Sequence, residues 1–265
     1  MDDVAGTEPS PIEMAFRRWP VAAAVVFGLA WLPLTIVLHR LARAVLPASD
    51  YETRLADGIE QTIMTAVALA LLVKIGWLRT AWLTTRPALV GGLWGLLGLT
   101  VAGAIVVILA ALPLVDFGNV TPAVVSAFNF TAVGVAEELW FRGLVMGGLL
   151  LAWREVRFGP LFATVLSAGL FGLIHLDPYL IVFAGLFGLG LSHLVLTTNT
   201  IWGAVAVHVL FNLLHDLPST TASATDGWFF TVSLAFIPLA GLVALANLAR
   251  DGLTAHEPRP EPVTA

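Results

Sequence analysis

The feature that most constrains this chain is its near-continuous succession of apolar stretches, eight of which approach the length of a membrane crossing. A helix needs about 20 mostly apolar residues to span the hydrocarbon core. The candidate runs are Trp19–Leu38, Ile59–Leu78, Ala88–Leu114, Val120–Trp153, Pro160–His175, Tyr179–Leu196, Thr200–Leu214 and Trp228–Leu248. Charged residues make up only 12% of the 265-residue chain. A soluble domain carries about 25%, so a soluble protein with a single anchor is excluded. Backbone groups in lipid must be satisfied within the segment, which favours helices. The ten-residue alternation of barrel strands is absent. The expected fold is therefore all-α, a polytopic transmembrane helix bundle of about eight spans.

The fourth run is too long for one straight crossing and is expected to enter at an angle or break near Gly134. The fifth and seventh are short and would be partly shielded by neighbours. Residues 1–18 read as a polar N-terminal tail without the basic start of a signal peptide, so the first apolar run is expected to stay as a span. Residues 19–116 then hold N-terminal transmembrane helices, 117–216 a catalytic core and 217–250 the last transmembrane helix. Residues 251–265, with Pro258, Pro260 and Pro262, read as a disordered C-terminal tail. Leu46–Gly58 reads as a charged loop. The net charge of -5 carries no nucleic-acid footprint. With no cysteine, thiolate chemistry is excluded.

Cations set the expected orientation. Arg17, Arg18, Lys74, Arg79, Arg86, Arg154, Arg157, Arg250 and Arg259 fall on one side, and Arg40, Arg43 and Arg54 on the other. The positive-inside rule puts both termini in the cytoplasm, with the chain multi-pass in the cell membrane.

Within the fourth run stands Glu137-Glu138-Leu139-Trp140-Phe141-Arg142. A charged group at a helix centre raises the insertion free energy by about 2.5–3.5 kcal/mol, so such residues point to a function. Glu138 and Arg142, at i and i+4, can pair as an ordinary ion pair. That pair leaves Glu137, about 100° around the helix, without a cation of its own. A spare carboxylate in apolar surroundings suits a general base that must also return a proton. His175, by itself, reads more readily as an interfacial or capping residue, with Phe171 four residues back to pack on its ring. His208 and Asn212 share a helix face, and even alone they read more as a functional pair than as hydrogen-bonded glue between helices. His193, Asn199, His215 and Asp216 read as structural or interfacial. Glu137 precedes the turn at 154–159 by roughly seventeen residues and His175 follows it by a similar count. In a helical hairpin, equal counts mean equal depth, so these two can face each other. The depth of His208 is not fixed this way.

Together, Glu-Glu-x-x-x-Arg at 137–142, Phe-x-x-x-His at 171–175 and His-x-x-x-Asn at 208–212 resemble the CPBP family of intramembrane proteases. This family includes CAAX prenyl protease 2, Abi-domain and lysostaphin-resistance-like proteins. Thr198-Asn199-Thr200-Ile201-Trp202 fits as well. The resemblance spans Phe117 to Asp216. It implies an endopeptidase in which Glu137 and His175 activate water. His208 and Asn212 would hold the oxyanion or the water, with Glu138, Arg142 and Phe171 in support. It also raises a single zinc ion on Glu137, His175 and His208 as the one cofactor to consider. The compact His-Glu-x-x-His zinc motif is absent, and the reading here favours the metal-free version.

No glycine-x-serine-x-glycine and no pair of intramembrane aspartates supports another protease chemistry. A non-catalytic membrane immunity or scaffold protein of the same family is the main alternative. A proton-coupled transporter comes third, since no repeat is visible. The implied partners are membrane lipids and a peptide substrate, membrane-associated or lipidated and from a prokaryote. Nucleic acid is not among them. The charge count sends the site toward the outer half of the membrane, whereas prenyl proteases of the family act on cytoplasmic substrates.

Overall fold

The computed structural model describes residues 9–45, 50–81, 83, 120–216 and 226–254. Every regular element among them is helical, and none is a strand. In order these are α1 (Pro11–Arg18), α2 (Pro20–Val45), α3 (Asp50–Lys74) and α4 (Val120–Glu138). A π-helical stretch (Leu139–Met146) and α5 (Gly147–Ala152) continue α4. Then come α6 (Gly159–Leu173), α7 (Pro178–Thr198), α8 (Trp202–Asp216) and α9 (Asp226–Thr254). Four of these contain stretches long and apolar enough to cross a bilayer unaided: Pro20–Ala44, Thr53–Lys74, Pro178–Thr198 and Phe236–Leu253. Gly159–Leu173 and Trp202–Leu213 are apolar but shorter. The count is thus below the eight runs of the sequence, and the run Ala88–Leu114 lies outside the described residues.

Three expectations change. The polar N-terminal tail is pinned at its end, because Pro11–Arg18 folds as α1. Ser10 Oγ accepts from the Glu13 N–H (3.1 Å), Pro11 occupies the first turn, and Arg17 pairs with Glu13 at 2.6 Å. Phe16 drives the docking. It is fully buried, lies 5.6 Å from the Phe27 ring and 5.7 Å from Trp77, and fills the space a side chain at Gly148 would need.

The second change concerns Leu46–Gly58, where residues 50–58 are the opening turns of α3 rather than loop.

The third concerns Gly134. The helix runs through it unbroken, and the irregularity comes later, after Glu138. Gly134 serves close approach instead: a Cβ there would lie 2.7 Å from Val209 Cγ2 and 3.2 Å from the Val209 nitrogen of α8. In the π-helical stretch all eight residues are buried, and the Gly147 N–H reaches back to the Arg142 carbonyl. The Phe141 carbonyl also accepts from Ser167 Oγ of α6 at 2.8 Å. Such wide turns are rare and concentrate at functional sites.

The helices alternate between two ends of the bundle. One end joins α1, the turn at 153–158 and the close of α9, where Arg157 Nε donates to the Gly252 carbonyl at 3.0 Å. The other holds the α6–α7 turn and the close of α2. Arg17, Arg18, Lys74, Arg79, Arg154, Arg157 and Arg250 fall at the first end, and Arg40, Arg43 and Arg54 at the second.

Gly134→Ala is expected to force α4 and α8 apart and to cost about 1–3 kcal/mol, the usual range for overpacking. Thermal unfolding in detergent reads this out. An unchanged melting temperature would show that the two helices have slack at this crossing.

Candidate active site

The site begins with two adjacent glutamates at the close of α4. Glu138 points into the protein and is fully buried. Its Oε1 accepts from Arg142 Nη1 (2.9 Å) and from His208 Nδ1 (2.8 Å), so one carboxylate oxygen joins the π-helical stretch to α8. Arg142 is also fully buried. Its guanidinium carbon lies 4.4 Å from the Phe171 ring centroid, a cation–π contact without water. The room for it comes from Gly188 of α7, where a Cβ would lie 3.0 Å from Arg142 Nη2.

Glu137 takes the other face and retains slight exposure, with 10% of its side chain accessible. Its Oε2 lies 3.6 Å from His208 Nε2. The two nitrogens of one imidazole therefore face two different carboxylates. His208 Nδ1–H donates to Glu138, so in the neutral ring Nε2 carries the lone pair toward Glu137. Phe171 and Phe187 stand edge-on to the His208 ring, at 5.8 and 5.4 Å.

His175 lies just past the close of α6. Its Nδ1 is 2.9 Å from the Phe171 carbonyl. A carbonyl can only accept, so the proton sits on Nδ1 and Nε2 is bare. The turn that follows is tight: Leu176 has φ of 59°, and the Asp177 carboxylate caps α7 through the Tyr179 and Leu180 N–H groups (2.9 and 3.0 Å). A left-handed leucine is unusual and such strain gathers at functional turns.

His175, His208 and Asn212 line one cavity of about 190 Å³, with Phe130, Phe171, Phe183, Phe187 and Phe211 among its walls. Glu137 is not part of that lining. It reaches the site through His208 and lies within electrostatic reach of His175 as well. Residue spacing gave no sign of the contact of His208 with Glu138; only the family resemblance grouped His208 with Glu137. Phe187 and Gly188 were missed, although Tyr179, Phe183 and Phe187 recur every fourth residue and mark one face of α7. His193 and Asn199 stay outside the cavity. Asn199, with φ of 52°, closes α7 in the left-handed conformation that asparagine tolerates.

Zinc needs donors gathered at about 2.0–2.2 Å from one point. Both histidines have the orientation such a site uses, with Nδ1 held by an oxygen and Nε2 free. The convergence is missing, however. Among the described residues, the group with three ligand atoms within 4.8 Å of one another is His39, Asp57 and Glu60, not Glu137, His175 and His208. As arranged, the ligand atoms of Glu137, His175 and His208 do not all lie within 4.8 Å of one another, which does not fit a three-ligand zinc site.

Arg142→Met should destabilise the protein by about 3–5 kcal/mol, because it strands a buried charge on Glu138. Adding Glu138→Gln to that variant should recover most of the loss, as read by denaturant unfolding in micelles. A double variant no more stable than Arg142→Met alone would refute the pairing as the cause.

Residues 119–214 match the family model described as type II CAAX prenyl endopeptidase Rce1-like. No curated protein and no solved structure matches the chain. All three motif pairs, from Glu137 to Asn212, fall inside the matched segment. The part of the chain that builds this cavity is therefore similar to the Rce1-like type II CAAX prenyl endopeptidases, in keeping with the resemblance that the three motifs carry.

Proposed function

We propose that the chain is an intramembrane endopeptidase that hydrolyses a peptide bond of a membrane-associated or lipidated peptide with water activated by Glu137 and His175. The observation that carries this reading is the division of labour between the two glutamates. Glu138 is consumed by Arg142 and His208. Glu137 has no Arg or Lys of its own and faces an imidazole lone pair at 3.6 Å.

Proton bookkeeping follows from these contacts. A water between Glu137 and the bare Nε2 of His175 donates one hydrogen bond to each acceptor. Glu137 takes the proton as the oxygen attacks the peptide carbonyl. The new C–O bond forms, and the carbonyl electrons move onto oxygen. The Asn212 amide on the cavity wall supplies a donor for that oxyanion, and donors fixed in a dry site are a large catalytic term. The proton then passes from Glu137 through His208 Nε2 to the leaving nitrogen as the C–N bond breaks. The transient imidazolium is stabilised by Glu138 on its other face. Phe171 and Phe187 hold the His208 ring so that Nε2 stays aimed at Glu137.

Aromatic walls around the cavity suit an apolar peptide or its lipid, and the polar set at the base would meet the peptide bond. The chain is read as multi-pass in the cell membrane with both termini in the cytoplasm. The end rich in arginine then lies inside, and the α6–α7 turn outside.

Glu137→Gln should lower cleavage of a lipidated or apolar peptide library by roughly a hundredfold or more, the scale of general-base loss, with the fold unchanged by circular dichroism. Asn212→Ala should lower kcat by a similar factor with little change in KM. Activity of Glu137→Gln equal to that of the parent protein would reject the assignment. A parent protein inactive toward every peptide, with or without added zinc, would favour the scaffold reading. Activity lost to a chelator and restored by zinc would overturn the metal-free route.

Orientation has its own test, since the chain has no cysteine of its own. In intact cells an impermeant maleimide should label Leu176→Cys and spare Glu155→Cys, both exposed positions. The opposite pattern would reverse the topology.

A further inference from the structure

A second polar cluster stands outside the cavity, and the peptidase reading makes no use of it. His39 lies near the close of α2. Asp57 and Glu60 stand three residues apart on α3, so they share one helix face. His39 Nδ1 lies 2.9 Å from Asp57 Oδ1 and 3.5 Å from Glu60 Oε2. One imidazole nitrogen thus faces two carboxylates, and a single N–H can serve only one of them well. Glu60 is 5% exposed although its helix is apolar enough to cross a membrane. The ligand atoms of the three residues lie within 4.8 Å of one another.

Gln61 gives an independent observation. It is 8% exposed, and its Nε2 donates to Glu60 Oε1 at 3.0 Å. The same amide's Oε1 is buried without a hydrogen-bond partner. An amide places its oxygen and nitrogen on one carbon, so this orphan acceptor lies close to the Glu60 carboxylate. A buried acceptor without a donor costs about 1–3 kcal/mol. Among carboxylates, a cation resolves this where another acceptor would not.

We propose that His39, Asp57 and Glu60, backed by Gln61, form a binding site for a divalent first-row metal ion. One nitrogen and up to three oxygens suit Mn²⁺ or Zn²⁺. Two carboxylates and a neutral imidazole would balance the ion's charge. The site would join α2 to α3 at the end of the bundle that holds the α6–α7 turn. Between Asp57 and Glu60, Gly58 packs directly against Phe128 and Asn129, next to the Phe130 that lines the active-site cavity. The inference does not rest on the peptidase reading.

The test uses the full chain in detergent, with any affinity tag removed and metals stripped by a chelator. Glu137→Gln, His175→Ala and His208→Ala are combined as the background, which takes the cavity's donors out of the measurement. MnCl₂ and ZnCl₂ are titrated calorimetrically, and unfolding is followed with and without metal. The expected result is one equivalent bound and a higher melting temperature with metal. Adding Glu60→Gln or His39→Ala should weaken binding by about tenfold or more. Should either variant unfold, the isosteric Asp57→Asn gives the same readout. Absence of binding in the background protein, or binding that Asp57→Asn and Glu60→Gln leave unchanged, would overturn the site.

Discussion

The site depends on one buried carboxylate oxygen shared by two donors. Glu138 Oε1 holds Arg142 from its own helix and His208 from α8. In an apolar interior an unpaired charge is untenable, so each of these contacts constrains the next. Arg142 must lie flat over Phe171, because its other faces meet protein rather than water. The Phe171 ring in turn stands edge-on to His175, whose Nδ1 meets the Phe171 carbonyl. His208, tethered through Nδ1, has no choice but to turn Nε2 toward Glu137. A single ion pair thereby sets the tautomer of one histidine directly and the position of the other through one aromatic ring.

Backbone features of the fold make that pair accessible. Gly134 lets α8 approach α4 closely enough for His208 to reach two consecutive glutamates. Gly188 leaves a space on α7 for the guanidinium. The π-helical stretch begins directly after Glu138, and one of its carbonyls takes a further bond from Ser167 of α6. The irregular turn and the polar set coincide because both need neighbours that supply hydrogen bonds where lipid cannot.

Much of this was legible in the sequence. The pairs Glu138–Arg142 and Phe171–His175 follow from i, i+4 spacing alone, and both meet in the structure. Counting residues to the turn between them predicts one depth for Glu137 and His175. His208 was different. Its partner depends on how far α8 slides along α4, which is set by packing at Gly134 and leaves no mark on spacing. The same blindness hid the role of Gly134 itself. A glycine in a long apolar run signals a break or a close approach with equal force, and only the neighbour at Val209 decides between them. His39, Asp57 and Glu60 carried a signal that was available, since a glutamate within an apolar run is conspicuous. Reading Leu46–Gly58 as loop separated Asp57 from Glu60 and concealed that they share a face.

Stability alone gives no account of this arrangement. Replacing a buried ion pair by well-packed apolar residues is often neutral or stabilising. A bundle selected only to hold helices together would have no use for a second glutamate beside the paired one. Glu137 adds a carboxylate that Glu138 already makes unnecessary for neutralising Arg142. It is also the member of the pair that keeps contact with the outside, while Glu138 has none. The aromatic walls restrict what can approach, and the bare Nε2 atoms of His175 and His208 accept protons but donate none in the neutral rings. Acceptors gathered around a carboxylate that keeps slight exposure suit the removal of a proton from something that enters, which is the role the proposed hydrolysis assigns to Glu137.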